Sequence, residues 1–356
     1  MKILITGICG FAGSTIAKSW LLSVPGIIIY GIDNLARPGS ELNRHQLQKL
    51  GVKLFHGDIR VQSDVDNLPA VDWVIDAAAN PSILAGVDGE TSSRQLIEHN
   101  LLGTVNLLEY CKRYRAGFIL LSSSRVYSIK ALAEISVEPS GRAFRLESPH
   151  EFPHGLSPAG VSESFCTTPP LSLYGSSKLA SELLALEYGE TFAFPVWINR
   201  CGILAGAGQF GRADQGIISF WVNAWLRKYP LNYIGFGGDG FQVRDCLHPR
   251  DLVPLLQKQT SENRSEMVRL LNLGGGTANS FSLADLSDRC CERFGRHEVG
   301  SIAATRRFDI PWLVMDSSLA EKTWGWRAQT TFDEIFTEIS LHAEAHPDWL
   351  EISGTI

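Results

Sequence analysis

The sequence predicts an α/β fold, a doubly wound parallel sheet followed by a smaller, irregular C-terminal lobe, and three observations carry that expectation. Short runs that are apolar throughout alternate with stretches long enough for a helix, as expected of parallel strands covered on both faces. Three glycines fall directly between the first run and its helix. Beyond about Cys201 the alternation gives way to Gly-rich stretches such as "GFGGDGFQVRD" and "LNLGGGTANS", where the second lobe begins.

The first strand is "KILIT", and "STIAKSWLLS" follows with Ile16, Trp20 and Leu21 at helical spacing. "GIIIYGIDN" is a second strand of the buried type. "VKLFHGDI", "DWVIDAAA", "GFILLSSS" and "FPVWINRCGIL" supply the next four, with "NLLGTVNLLEYCKRY" as one crossover helix. A helix starting near Gly175 carries Leu179, Leu183 and Leu186 at i, i+4, i+7, an apolar stripe for the core or for a partner subunit. Residues 128–170 are rich in Pro, Ser, Gly and Glu without sustained periodicity, which predicts a long surface insertion lying over the site. The sheet domain thus takes residues 1–200, interrupted by the 128–170 insertion and rejoined by 243–262. Residues 201–242 and 263–356 form the second lobe.

At 356 residues, with 44% apolar and 20% charged side chains, the chain is long and apolar enough to bury a substantial core. A formal net charge of −6 and a pI near 5.9 argue against a surface for polyanions. No nucleic-acid partner is expected, although a local basic pocket for a phosphorylated small molecule remains open. The seven cysteines, Cys9, Cys111, Cys166, Cys201, Cys246, Cys290 and Cys291, show no C-x-x-C pair and no metal-ligand spacing. Reduced, packing thiols and no metal are the expectation. Glycines break "MKILITGICGFAGS" before a signal-type apolar core forms, and no later run is long enough to cross a bilayer. A soluble, cytoplasmic protein without a membrane partner is expected.

Gly7, Gly10 and Gly13 form G-x-x-G-x-x-G where the first strand turns into its helix. Glycines there permit a tight turn and a close backbone approach to a pyrophosphate, which then sits at the positive helix N-terminus. Any sharp β–α turn also uses glycine, so the acid that follows matters more. Asp33 closes the second strand twenty residues after Gly13, where a carboxylate accepts hydrogen bonds from both hydroxyls of an adenosine ribose. It would repel a 2′-phosphate, which favours NAD over NADP, with Arg37 close enough in sequence to leave NADP open. Asp33 also reads as a turn-capping residue before Asn34. In "GDI", Asp58 and Ile59 would set a carboxylate and an apolar side chain beside the adenine; alone, Asp58 is a turn residue. Together these features give a Rossmann-type, dinucleotide-binding first domain.

In "SLYGSSKLASELLALEYG", Tyr174 and Lys178 share one side of the first helical turn, where an ammonium favours a phenolate. Alone, the pair reads first as two ordinary residues on a solvated helix face.

Taken in order, "TGICGFAGS", "DN", "HGDIR", "DAAA", "NLLGTVNLLE", "SSSRVY" and "YGSSK" resemble the extended short-chain dehydrogenase/reductase family of nucleotide-sugar epimerases and dehydratases, across nearly the whole chain. The resemblance implies an NAD cofactor, a nucleotide-sugar substrate and a homodimer formed through the Tyr174 helix and the one holding "NLLGTVNLLE". It implies Tyr174 as the base, with Lys178 lowering the phenol's pKa and holding the nicotinamide ribose. A free tyrosine, with a pKa of about 10, is too weakly ionised at neutral pH to serve unaided. Ser123, three residues before the Val of Val-Tyr, would bind the reacting hydroxyl. Ser124 is kept beside it as a sugar contact, because the triple serine permits a shift of one residue. Asn34 and Ala77 join the cofactor set, and Asn100 resembles an asparagine that orders backbone near the active site.

By the same resemblance Arg244 and Arg306 would hold the diphosphate, Asp309 would lie near the nucleotide, and Arg125 would contact the substrate. Asp214 and Gln215 in "ADQG" would line the sugar or nucleotide pocket. Read alone, Arg306 beside Arg307 is a solvated pair, Arg125 a surface arginine and Asn100 a polar residue on a helix surface. Relatives that eliminate water place an acid one or two positions after the Ser/Thr. Here those positions hold Ser124 and Arg125, which disfavours a dehydratase. The stretches "GIDNLARPGSELN", "QFGRADQGIISFW" and "GDGFQVRDCLHPRDL" are similar to a subgroup that inverts C2 of a CDP-sugar by transient oxidation and hydride return. Against it stand Ser123 in place of Thr, Pro311 in place of Arg, and a longer segment between Ser123 and Tyr174. A UDP- or dTDP-sugar 4-epimerase, a nucleotide-sugar dehydrogenase and a catalytically silent NAD-binding protein are the alternatives.

Overall fold

A computed structural model describes residues 1–87, 89, 92–147, 152–262, 267–304 and 306–355. The strands β1 (Lys2–Thr6), β2 (Ile28–Asp33), β3 (Lys53–His56), β4 (Trp73–Asp76) and β5 (Gly117–Ser123) join the strands Val196–Cys201 and Leu270–Leu273 in one seven-stranded sheet. From one edge the order is Leu270–Leu273, Val196–Cys201, β5, β4, β1, β2, β3, and every pairing is parallel. The chain order reverses between β1 and β4. Ligands of such sheets bind beyond the strand C-termini at that reversal.

Alternation along each strand loads both faces. Ile3 and Ile5 point into one buried cluster with Ile16, Ala17 and Trp20 of α1 (Phe11–Ser23). Leu4 points into the other, with Leu107, Leu108 and Cys111 of the helix Gly103–Tyr114. Each such side chain contributes roughly 1.5–3 kcal/mol by leaving water, so the sheet is held from both sides and its C-terminal edge is a fixed platform.

The return to this sheet is displaced from the expected 243–262. Val243–Leu247 belongs instead to a small sheet with Ile203–Leu204, Ser280–Phe281 and Trp312–Leu313. Residues 252–256 do return, burying Leu252, Val253, Leu255 and Leu256 against α1's cluster. The seventh strand then comes from "LLNL", an apolar run ending in glycines like the first strand, and Ala320 and Trp324 complete the same core. The boundary at 263 lies outside the described residues.

The 128–170 insertion is also more than a surface loop. It holds the helix Ile129–Ala133, the hairpin Val137–Ser140/Ala143–Leu146 and the short hairpin Leu156–Ser157/Gly160–Val161, with residues 148–151 outside the described part. Leu132, Ile135, Leu156, Val161 and Phe165 build a core with Ile310, Trp312, Val314 and Met315 of the second lobe. Its backbone ties down as well, Phe144 N–H donating to Phe241 O. No helix among the described residues is long and apolar enough to cross a membrane.

Candidate active site

The glycine turn is shaped by what cannot fit in it. Gly7 has φ +58°, and a Cβ there would stand 2.9 Å from Ala78 Cα and 3.2 Å from Ala77 O. A Cβ on Gly13 would stand 2.5 Å from Gly7 O. The turn therefore lies directly against Ala77 and Ala78 at the end of β4. Gly10 N–H closes it on Gly7 O at 2.9 Å. α1 starts there with no side-chain cap and no acidic residue in its first turn, leaving its N–H groups for an anion.

Asp33 reaches the same turn. Its carboxylate accepts the N–H of Cys9 and of Leu35, each at 2.8 Å. Burial pushes this carboxyl's pKa up, and backbone hydrogen bonds from Leu35, Cys9 and Gly10 pull against the rise. Asn34 donates to Asp58 at 3.0 Å, and Arg60 grips the same carboxylate at 2.6 Å. Burial alone would raise Asp58's pKa, but the hydrogen bonds of Arg60 and Asn34 outweigh it and hold the carboxyl well below its usual range. Ile59 is buried beside them, where a Cβ on Gly103 would come within 2.6 Å of its Cδ1. Arg60 is the member of this corner that sequence reasoning passed over, although "GDIR" contains it.

Asn100 is not on a helix surface. It lies in a π-helical turn, Glu98–Leu102, and is 1% exposed. Its amide clamps the chain leaving β4, accepting Asn80 N–H at 2.8 Å and donating to Asn80 O at 3.1 Å. It also donates to Ser177 Oγ at 3.2 Å, while Thr104 and Ser181 hydroxyls donate to its carbonyl. Such a widened turn leaves a carbonyl for side chains to take up.

The Leu173–Phe192 helix begins two residues before Gly175, with Ser172 Oγ accepting Gly175 N–H at 3.0 Å as its cap. Tyr174 and Lys178 both point inward, 7% and 1% exposed. Ser123 ends β5, and its hydroxyl accepts Arg125 N–H at 3.1 Å and lies beside the Tyr174 phenol. Burial raises the phenol's pKa; Ser123 and the Arg125 charge act to lower it. Arg125 thus adds a cation beside the phenol that the sequence did not single out for it. Burial pulls the Lys178 ammonium's pKa down, with Asp76 and Glu182 opposing. That ammonium makes no hydrogen bond or ion pair with a described residue. A buried ammonium without a partner calls for acceptor oxygens from outside the chain, and a ribose diol provides them. With the side-chain-free turn at Gly7 and Gly13, this makes the residues present fit a dinucleotide.

A buried network sets these groups in place. Ser122 donates to Glu182 at 2.5 Å, and Arg200 holds Glu182 through Nη2 at 2.7 Å and Nε at 3.0 Å. Tyr127 carries the chain on to Asn272 at 2.6 Å. Glu182 is one helical turn beyond Lys178, a spacing that could have flagged it; Arg200 and Asn272 carried no local signal.

From the second lobe, Arg244 is spent on backbone oxygens, Val243 O at 2.7 Å and Ile310 O at 2.9 Å, with Asp309 at 3.8 Å. Burial, then the neighbouring Arg125, lowers its pKa to about 9. Asp309 also takes Gln242 Nε2 at 3.1 Å. Arg125 is half-buried beside this pair and makes no side-chain hydrogen bond or ion pair with a described residue, whereas Ser124 is buried within its turn. Arg306 stands apart, its side chain exposed and only its carbonyl reaching Asp309 N–H. Asp214 and Gln215 are hydrogen-bonded to residues of the first domain, Ser82 and Arg37.

The model of the NAD dependent epimerase/dehydratase family matches residues 3–274. CDP-paratose 2-epimerase of Salmonella typhi is 32% identical over 294 residues, covering 80% of this chain and 82% of that protein. dTDP-glucose 4,6-dehydratase of Streptomyces antibioticus is 28% identical, covering 94% and 90%. Among solved structures, UDP-glucuronic acid 4-epimerase from Bacillus cereus, in complex with UDP-glucuronic acid and NAD, superposes with a TM-score of 0.78 at 24% identity, covering 97% and 99%.

Proposed function

The chain belongs to the NAD dependent epimerase/dehydratase family, and from that premise we propose that it epimerises a nucleotide-activated sugar by transient oxidation, most specifically at C2 of a CDP-sugar. The observation that carries this reading is Tyr174 set against Ser123 on a helix whose Lys178 ammonium is buried without a partner. The identity to CDP-paratose 2-epimerase supports the carbon and the nucleotide.

Ser123 and Tyr174 would receive the reacting hydroxyl, Tyr174 taking its proton as the alcohol becomes a ketone. Bound NAD supplies the hydride acceptor and donor. Gly7, Gly10, Gly13, Asp33, Asn34, Asp58, Ile59, Ala77 and Asn100 would shape its site, and Lys178 would hold the nicotinamide ribose. Once the keto-sugar has turned, Tyr174 would return the proton as the other face is reduced. Arg244 would hold the diphosphate with the N–H groups its two backbone bonds leave free, a planar fork suiting phosphate oxygens. Arg125 would contact the substrate, and Asp309 would lie near the nucleotide. Ser124 and Arg306 remain in the substrate set on the family pattern alone. Ser124 and Arg125 stand where eliminating relatives carry an acid, which favours epimerisation over dehydration. A homodimer through the helices Gly103–Tyr114 and Leu173–Phe192 is proposed as well. Leu102, just before the first of these helices, and Leu183, on the second, are 44% and 63% exposed.

The second reading, a UDP- or dTDP-sugar 4-epimerase, is favoured by the fold of the Bacillus cereus neighbour. Proton NMR of the protein with CDP-, UDP- and dTDP-hexoses, following the C2 and C4 protons, decides between them. Inversion at C2 of a CDP-sugar without added NAD is expected. Inversion at C4 would move the assignment to the second reading, and net accumulation of reduced cofactor would point to a dehydrogenase. Tyr174→Phe should lower turnover by about 10²–10⁴-fold while NAD stays bound; near-normal turnover would place the base elsewhere.

A further inference from the structure

β2 and β4 flank β1 in the sheet, and the glycine turn rises from the end of β1. Arg37 lies just beyond β2, and Ser82 just beyond β4. One segment of the second lobe, residues 210–215, is bonded to both. Arg37 Nη1 donates to Gln215 Oε1 at 2.6 Å and Nη2 to Phe210 O at 2.7 Å. On the opposite flank, Ser82 Oγ donates to Asp214 Oδ2 at 2.6 Å.

The segment is anchored elsewhere too. Arg212 N–H and Gln215 O close it at 2.6 Å, and the Arg212 guanidinium donates to Gly354 O at 3.0 Å. The Phe210 ring packs so closely on Gly39 that a Cβ there would lie 2.6 Å from Phe210 Cε1, and it stacks on Trp349 at 5.4 Å. Just upstream, a Cβ on Gly206 would come within 3.2 Å of Phe11 Cζ, at the start of α1. A link from the end of β2 to the end of β4 has to cross the end of β1. A dinucleotide reaching from Asp33 to Lys178 has to cross there as well.

We propose that residues 210–215 form a strap that retains the dinucleotide, with Asp214 and Gln215 as its two clasps, a role that rests on the dinucleotide reading of Gly7, Gly10, Gly13 and Asp33. This takes Asp214 and Gln215 from the sugar pocket to the cofactor. It also gives Arg37 a job other than meeting a 2′-phosphate, because both ends of its guanidinium are already engaged across the groove. The chemistry explains why a strap is useful. An epimerase that oxidises and reduces within one cycle gains nothing from cofactor exchange, and loss of the reduced cofactor midway strands a keto-sugar.

The test is exchange of bound NAD for isotopically labelled NAD in the full-length protein, followed by gel filtration and mass spectrometry, with no sugar present. Gln215→Ala and Ser82→Ala, on opposite clasps, should each speed exchange at least tenfold. Gln215→Glu, which keeps an acceptor for Arg37, should restore slow exchange. Thermal unfolding identifies a variant that fails to fold, and the other clasp then decides. Wild-type exchange rates in the folded variants overturn the strap, as does a wild-type protein already exchanging as fast as they do. Weakened CDP-hexose binding with unchanged NAD exchange also overturns it, returning both residues to the sugar pocket. A wild-type protein that binds no NAD in millimolar excess removes the dinucleotide reading, and the strap with it, an outcome distinct from the other three.

Discussion

Arg125 and Gly175 show how tightly Tyr174 and Ser123 are fitted. The turn carrying Arg125 lies on the start of the Leu173–Phe192 helix so closely that a Cβ on Gly175 would stand 2.1 Å from Arg125 O. Neither partner there is a flexible side-chain end. Gly175→Ala should cost about 1–3 kcal/mol through overpacking, and a shift of ~1 Å between Tyr174 and Ser123 should cost turnover on the order of 10²-fold. Unfolding midpoints and kcat measured together separate the two effects; wild-type values for both would show that the helix yields freely. The Arg125 charge bears on ionisation. Burial raises the Tyr174 pKa and Arg125 opposes the rise, so removing the cation must raise it further. On the proposed reading, with Tyr174 as the base, the active form is the deprotonated one. Arg125→Met should therefore move the ascending limb of the pH–rate profile to higher pH, with Arg125→Lys recovering part of the shift. A profile that stays in place would leave Arg125 to the substrate alone.

At the scale of elements, the Leu173–Phe192 helix splits its apolar stripe, Leu179 and Leu186 packing against the core while Leu183 does not. Its buried positions include Tyr174, Gly175, Ser177, Lys178, Ser181, Glu182, Ala185 and Gly189, while Leu183 faces out. The inward face is small and polar where it approaches the sheet closely and carries Tyr174 and Lys178; a Cβ on Gly189 would lie 2.6 Å from Val196 Cγ2 on the strand Val196–Cys201. Leu179 and Leu186 pack against the core from its margins, and to them is added the buried pair of Glu182 and Arg200, 1% and 5% exposed and also bound by Ser122. Removing one partner strands the other, so Glu182→Ala should destabilise the fold by about 3–5 kcal/mol in urea unfolding. A loss below about 1 kcal/mol would mean that Arg200 finds other acceptors.

At the scale of the whole molecule, the exposed leucine flank bears on assembly. If the chain pairs through the Gly103–Tyr114 and Leu173–Phe192 helices, Leu183→Glu should turn a dimer into a monomer in sedimentation velocity runs, with catalytic residues untouched. A dimer that survives the substitution uses another surface. The same scale separates what was legible in the sequence from what was not. The parallel sheet, the glycine turn, Asp33 and the Ser123, Tyr174 and Lys178 set were determined by the sequence itself, because each depends on local constraints: strand apolarity, a turn closed to side chains, or two groups one helical turn apart. The seventh strand from Leu270–Leu273, the insertion's core with the second lobe and the bonds of Asp214 to Ser82 and of Gln215 to Arg37 came only with the tertiary structure. The same holds for Arg125 beside Tyr174 and for the network of Glu182 and Arg200. Each joins residues far apart in the chain, and which distant groups meet depends on how the lobes close on one another, a property that no local pattern encodes.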